Sequence, residues 1–178
     1  MAVLKTRSLR RGCSIALLVV GLSAASWAQA DARTWLVWPD GTGDAPTIQA
    51  AVDSAQIGDD VLLGPGTYTW SSQGMRPEMV RLKHGVWLHS IAGAAATILD
   101  AEDQGRVIRC QDVGTETRIE GLTLTRGRGA DGGGMLVLGN SGGPRILACM
   151  FTANYAASRG TGGAIHSDTV DIEGCEFR

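Results

Sequence analysis

The last sixty-one residues of the chain, 118–178, repeat themselves. Ile119-Glu120-Gly121-Leu122-Thr123-Leu124 returns as Ile146-Leu147-Ala148-Cys149-Met150-Phe151 and again as Ile172-Glu173-Gly174-Cys175-Glu176-Phe177, at offsets of 27 and 26 residues. A second element is interleaved with the first: Gly132-Gly133-Gly134-Met135 returns as Gly162-Gly163-Ala164-Ile165, 30 residues on. Self-similarity at a period of roughly 20 to 50 residues marks a solenoid or array, and it constrains the fold more than any other feature of this chain.

Each unit holds short apolar bursts separated by Gly, Asn, Ser and Asp, a pattern of strands and turns. No unit has room for two helices, which sets aside the helical repeat arrays, and the leucine-rich consensus is absent. A β-helix remains, with one coil per repeat and about five coils in the chain. Within the repeated block, the Ile and Cys/Leu positions are three apart, and the Cys/Leu and Phe/Leu positions are two apart. A straight strand gives even spacings only. A corner is therefore expected at Glu120-Gly121, Leu147-Ala148 and Glu173-Gly174, and Gly in two of the three suits a backbone with φ > 0. Across that bend all three apolar positions point inward.

Cys149 and Cys175 take the same slot in successive coils. Strands stack about 4.7–4.9 Å apart, whereas disulfide Cβ atoms lie about 3.8 Å apart. The pair reads as a ladder of small buried side chains lining the coil. No histidine or carboxylate shows metal-ligand spacing with these thiols, so neither a metal site nor a cofactor is expected.

Residues 1–30 read as a secretory signal peptide. Lys5, Arg7, Arg10 and Arg11 form a basic start, Ser14 to Ala25 is apolar, and Ala28-Gln29-Ala30 is a small-x-small cleavage signal, with cleavage after Ala30. The apolar run is shorter than the about 18 residues a membrane span needs. The mature chain, residues 31–178, is then one domain exported to the extracellular space, cell surface or periplasm. Removing the four basic residues leaves twelve Lys and Arg against eighteen Asp and Glu, a net charge of −6. That balance is the opposite of a nucleic-acid footprint. No later segment is long and apolar enough for a transmembrane span.

Trp35-Leu36-Val37-Trp38 reads as a first strand. Residues 47–55 place Ile48, Ala51, Val52 and Ala55 on one helical face. Pro46 stands just upstream, and Thr47 or Asp44 serves as cap. Such a helix has a role before a β-solenoid: it covers the open end of the first coil. Strands follow at Val61-Leu62-Leu63, Val86-Trp87-Leu88, Thr97-Ile98-Leu99-Asp100 and Val107-Ile108. Residues 71–83 read as an irregular polar loop leaving the coil. Phe177-Arg178 stops inside a repeat, since the partner of Asn154 would fall near position 180; the domain 31–178 reads as truncated at its C-terminus.

The stretch DGTGDAPTIQAAVDSAQIGDDVLLGPGTYTW, residues 40–70, resembles the opening of right-handed parallel β-helix proteins of the pectin-lyase-like superfamily. The later GGGM and GGAI, with Phe151-Thr152-Ala153-Asn154, resemble the repeats of polymorphic outer-membrane proteins. The resemblance implies an all-β fold, a right-handed single-stranded parallel β-helix with a short N-terminal capping α-helix. It also implies a surface or extracellular role in adhesion or carbohydrate contact, with a polysaccharide or cell-surface ligand as partner. The alternative it implies is a polysaccharide lyase or hydrolase of pectate-lyase type, and only under that alternative does calcium enter.

The catalytic residues stay unknown. Asp100, Asp103, Asp112, Asp131, Asp168 and Asp171 sit in no catalytic motif of those families and read as turn residues bonding their own backbone. Gln111-Asp112 lacks the surrounding pattern of an esterase. His84, His89 and His166 are isolated, and the adjacency of His166, Ser167 and Asp168 is not a triad without geometry. Tyr68, Trp70, Trp87 and Tyr155 divide between core packing and a sugar-stacking platform.

Overall fold

A computed structural model describes residues 31–178, apart from 158 and 159. The expected signal peptide, with its cleavage point after Ala30, lies outside the described residues. The chain enters on β1 (Thr34–Val37) and crosses in α1 (Ile48–Ser54). It then winds through about five turns. The first coil holds β2 (Asp60–Leu63), β3 (Gly66–Thr69) and β4 (Glu78–Leu82). The second holds β5 (Trp87–Ser90), β6 (Thr97–Asp100) and β7 (Arg106–Gln111). The third holds β8 (Arg118–Glu120), β9 (Thr123–Thr125), the short β10 (Arg128–Gly129) and β11 (Met135–Leu138). The fourth holds β12 (Arg145–Leu147), β13 (Met150–Thr152), the short β14 (Tyr155–Ala156) and β15 (Ile165–Ser167). The fifth holds β16 (Asp171–Glu173) and β17 (Glu176–Phe177).

Equivalent strands stack into three long parallel sheets, with β10 and β14 forming a fourth, two-stranded one. Sheet A runs β1-β2-β5-β8-β12-β16, sheet B runs β3-β6-β9-β13-β17, and sheet C runs β4-β7-β11-β15. This is an all-β parallel β-helix. The interior is built of in-register ladders. Val61, Leu88, Ile119, Ile146 and Ile172 line sheet A. Tyr68, Leu99, Leu124, Phe151 and Phe177 line sheet B. Val80, Ile108, Met135 and Ile165 line sheet C. The ladders supply the buried core from Val61 through Phe151. Tyr68 is wholly buried, and its hydroxyl donates to the carbonyls of Val37 at 2.8 Å and Gly64 at 3.0 Å.

The corner falls where the odd spacing puts it. Gly121, Ala148 and Gly174 have φ of 64°, 48° and 63°, so one left-handed residue turns sheet A into sheet B in each repeat. Both glycines adopt this conformation without the steric cost that a Cβ brings. The glycine run has another cause. A Cβ on Gly133 would strike the carbonyl of Tyr155 in the next coil, so close stacking of backbones excludes any side chain there.

Helix α1 closes the first coil. Thr47 is its N-cap, accepting from the Ala50 N–H at 3.1 Å, while the Gln73 side chain accepts from the Ile48 N–H at 2.8 Å. Ile48, Ala51, Val52 and Ala55 are all fully buried, as the helical spacing requires. At the other end Lys83 Nζ donates to the carbonyls of Ala55 at 2.6 Å and Asp53 at 3.2 Å, where a cation complements exposed carbonyl dipoles.

One segment differs from expectation. Residues 71–83 are not a loop throughout: 78–82 form β4, the first strand of sheet C. Met79, Val80 and Leu82 are buried. Arg76-Pro77 before the strand, with Glu78, Arg81 and Lys83 in and after it, dilutes the apolar signal. Those polar residues have structural partners that only the folded coil provides.

Candidate functional site

Side chains at alternate positions of sheet A face away from the coil, because a strand presents successive residues to opposite faces. In register they form two outward rows. The first holds Thr34, Asp60, Trp87, Arg118, Arg145 and Asp171. The second holds Leu36, Leu62, His89, Glu120, Leu147 and Glu173. At the usual strand separation six strands extend roughly 24 Å.

The centre of this face is aromatic. Trp87 and His89 lie two residues apart on β5 and stack, with ring centroids 4.0 Å apart and planes at 14°. The Arg118 guanidinium lies 5.8 Å from the Trp87 ring centroid, within cation–π range. Burial holds the His89 imidazolium below its usual range, so the ring is biased toward its neutral form. Trp87 Nε1 and His89 Nε2 are both shielded yet have no protein hydrogen-bond partner. Unpartnered shielded polar groups are uncommon in folded chains. A cavity of about 290 Å³ opens beside the ring, lined by Gly58, Asp59, Asp60, Gly85, Glu116 and Arg118 with Trp87. Further along the face, Arg145 pairs with Asp171 at 3.3 Å and Glu173 at 3.9 Å. A second cavity of about 290 Å³ lies over that end, between Glu120, Arg145 and Glu173.

Sheet C presents a different face. Its outward row is Arg81, Arg109, Leu136 and His166. The amide of Gln49 on α1 pairs with the edge of that sheet, accepting from the Arg81 N–H at 2.6 Å and donating to the Arg81 carbonyl at 3.3 Å. Arg81 is itself bonded to Glu78. A hollow of about 450 Å³ follows this seam, lined by Asp53, Ile57, Arg81, Lys83, His84 and Gln111 among others.

The aromatic residues considered from sequence do not assemble into one platform. Tyr68 is core. Trp70 donates its indole N–H to the Arg76 carbonyl at 2.6 Å, and Tyr155 is exposed on β14, outside sheet A. Only Trp87 has a place on the outward face of sheet A. Its stacking partner, His89, is not isolated as expected: β5 runs on to Ser90, which makes His89 the next outward residue of the same strand.

The aspartates are likewise dispersed. Asp100 accepts from the Glu102 N–H at 2.9 Å and is paired with Arg126. Asp131 accepts from Thr161, Asp168 from the Gly139 N–H, and Asp171 pairs with Arg145. Asp103 and Asp112 have left-handed backbones. Among the described residues no group of three or more His, Cys, Asp and Glu converges as a metal site would. His166 and Ser167 point to opposite faces of β15, since they pair with Leu136 and Val137 in turn. His166 Nδ1 lies 2.6 Å from Thr161 Oγ1, so His166, Ser167 and Asp168 form no triad. His84 Nδ1 accepts from the Gly114 N–H at 3.0 Å.

Cys110, Cys149 and Cys175 are unbonded. Cys149 and Cys175 stack in successive coils, and the Cys149 N–H donates to Cys175 Sγ at 3.4 Å. The neighbouring Cys149 thiol holds Cys175 below the ordinary thiol range. The same pairing, with burial, pushes Cys149 up. Burial alone pushes Cys110 up to about 12.

The chain matches no protein-family model, no curated protein and no solved structure. No helix among the described residues is long and apolar enough to cross a membrane.

Proposed function

We propose that this is an exported β-helix protein of the cell surface or extracellular space that contacts carbohydrate through the outward face of sheet A. The observation that carries the reading is the stacked Trp87–His89 pair on the outward face, with Trp87 lining a cavity of about 290 Å³. Aromatic faces pack against apolar sugar faces, and placed polar atoms fix orientation. Arg118 and Asp60 flank Trp87 in its row and supply a cation and a carboxylate for hydroxyl groups. The leader-like residues 1–30 support export. The resemblance of residues 40–70 to pectin-lyase-like proteins, and of the GGGM and GGAI repeats to polymorphic outer-membrane proteins, supports a surface role.

Binding to immobilised polysaccharides tests the reading. The wild-type protein should retain at least one cell-wall or capsular glycan, and Trp87→Ala should weaken that binding about tenfold, roughly the 1.4 kcal/mol of one good stacking contact. Equal binding by Trp87→Ala would move the contact off sheet A. Incubation with polygalacturonate and calcium discriminates the alternative. Unsaturated products, detected by their ultraviolet absorbance, would replace adhesion with a lyase of pectate-lyase type.

A further inference from the structure

The hollow of about 450 Å³ at the seam between α1 and sheet C is larger than either cavity on sheet A. Its size is that of a small-molecule pocket. β4 and β7 pair with Leu82 opposite Cys110, which sets Lys83 beside Gln111 on the lining. Ile57 supplies an apolar wall and is 73% exposed. It is held in that place. The Gly58 N–H donates to the Gly85 carbonyl at 2.8 Å. A Cβ on Gly85 would stand 2.7 Å from Ile57 Cγ2, so Ile57 rests on bare backbone.

The polar groups around the hollow are donors. Lys83 Nζ gives two of its three N–H groups to the carbonyls of Ala55 and Asp53 and keeps one free. His84 Nδ1 accepts from the Gly114 N–H, so the ring proton sits on Nε2. Glu116, 4.0 Å from that nitrogen, is beyond hydrogen-bond reach. Gln111 Oε1 accepts from Arg109 Nη2 at 2.9 Å, which leaves its NH₂ end unengaged. Asp53, the one carboxylate on the lining, already accepts from the Gln49 amide at 2.8 Å.

The charge points the same way. Residues 31–178 carry an excess of acid, yet this seam gathers Arg81, Lys83 and, opposite Arg81 in register, Arg109. Glu78 balances Arg81. Among the described residues neither Lys83 nor Arg109 is paired with a carboxylate. Free donors beside unbalanced cations are complemented by a group that only accepts and carries negative charge, which is a carboxylate. The Ile57 wall adds the need for an apolar body.

We propose that the seam between α1 and sheet C is a binding site for a small apolar monocarboxylate, separate from the outward face of sheet A. The carboxylate takes the Lys83, His84 and Gln111 donors, and the apolar body covers Ile57.

The test is a calorimetric titration of the purified protein with 2-naphthoate and with its neutral counterpart, 2-naphthylmethanol. Naphthoate should bind saturably at one site per chain, and the alcohol at least tenfold more weakly. Gln111 and Ile57 are both exposed, so their variants keep the core intact. Gln111→Glu and Ile57→Asp should each weaken naphthoate binding at least tenfold. Ile91→Asp, which alters an exposed apolar residue outside the hollow, should leave it unchanged. A second measurement needs no variant: in nitrogen-15 spectra of the wild-type protein, naphthoate should shift the amide signals of Ile57, His84 and Gln111. Absence of saturable binding, equal binding of the alcohol, indifference to both Gln111→Glu and Ile57→Asp, or shifts confined to other residues such as Ile172 and Phe177 would each overturn the assignment.

Discussion

At the scale of single residues, the corner positions separate what a side chain does from what a backbone must do. Gly121 and Gly174 meet the left-handed conformation freely, but the equivalent Ala148 holds it at φ 48° with a Cβ in place. Left-handed backbone costs an L-residue about 1–2 kcal/mol, part of which glycine returns as unfolded-state entropy. Ala148→Gly should therefore stabilise the chain by up to about 1 kcal/mol, read as a higher urea midpoint at unchanged slope. Asp59 carries a different kind of constraint. It accepts from the backbone N–H groups of Arg33 at 2.8 Å and Gln56 at 2.9 Å, and from the Trp35 indole at 3.3 Å. Those donors hold its carboxyl below the usual range. A depressed folded-state pKa contributes stability above the unfolded value of about 3.9, and that contribution disappears as pH falls through the folded value. Stability measured from pH 6 down to pH 2 should drop below about pH 4. Asp59→Asn should flatten part of that drop; an unchanged profile would place the acid sensitivity elsewhere.

At the scale of elements, α1 shows how a solenoid begins. β4 is the edge of sheet C, and an edge strand offers unpaired N–H and C=O groups to any passing strand. Gln49 occupies those groups at Arg81 with its own amide, and Thr47, Gln73 and Lys83 complete the two helix ends. Gln49→Leu keeps a side chain of similar bulk but removes the amide and so orphans the Arg81 N–H and carbonyl. The expected cost is about 1–3 kcal/mol for each group left buried without a partner. Light scattering should also report self-association above the wild-type level, because the strand edge becomes available.

The helix itself was legible, since Ile48, Ala51, Val52 and Ala55 announce a buried face at 3.6-residue period. So were the corner and the inward ladders, because the one-residue skip at Gly121, Ala148 and Gly174 violates strand alternation in every repeat. Strand β4 was not legible. Its charged side chains, Glu78 and Arg81, pair with each other, and its edge is closed by Gln49 of α1, some thirty residues away, so local pattern carries no trace of that closure. The outward face was half legible: Trp87 is visible as an aromatic in a strand, whereas its neighbours Asp60 and Arg118 join it only through the register of three coils.

At the scale of the whole molecule, each coil touches its neighbours through ladders of identical construction, so stability is close to a sum of coils and interfaces. Leu124 sits midway in the sheet B ladder between Leu99 and Phe151 and is fully buried. Leu124→Ala should cost about 2–5 kcal/mol. Hydrogen exchange should accelerate most in the strands directly above and below, β6 and β13, and least in β1. A uniform acceleration would mean that the coils unfold as one unit.

The corner also divides each turn of the chain into two regimes. The path from sheet A through the left-handed residue to sheet B keeps the same length in the last three coils, with six residues from Ile119 to Leu124, from Ile146 to Phe151 and from Ile172 to Phe177. The path from sheet B to sheet C varies: 101–105 joins β6 to β7, whereas 153–164 joins β13 to β15 and contains β14. A solenoid assembled this way separates the part of its sequence that must be copied faithfully from the part free to diverge. Whole coils can be duplicated without disturbing their neighbours, and new peptide can be grafted into the variable arc, so the architecture can lengthen and acquire new surfaces while its interior stays the same.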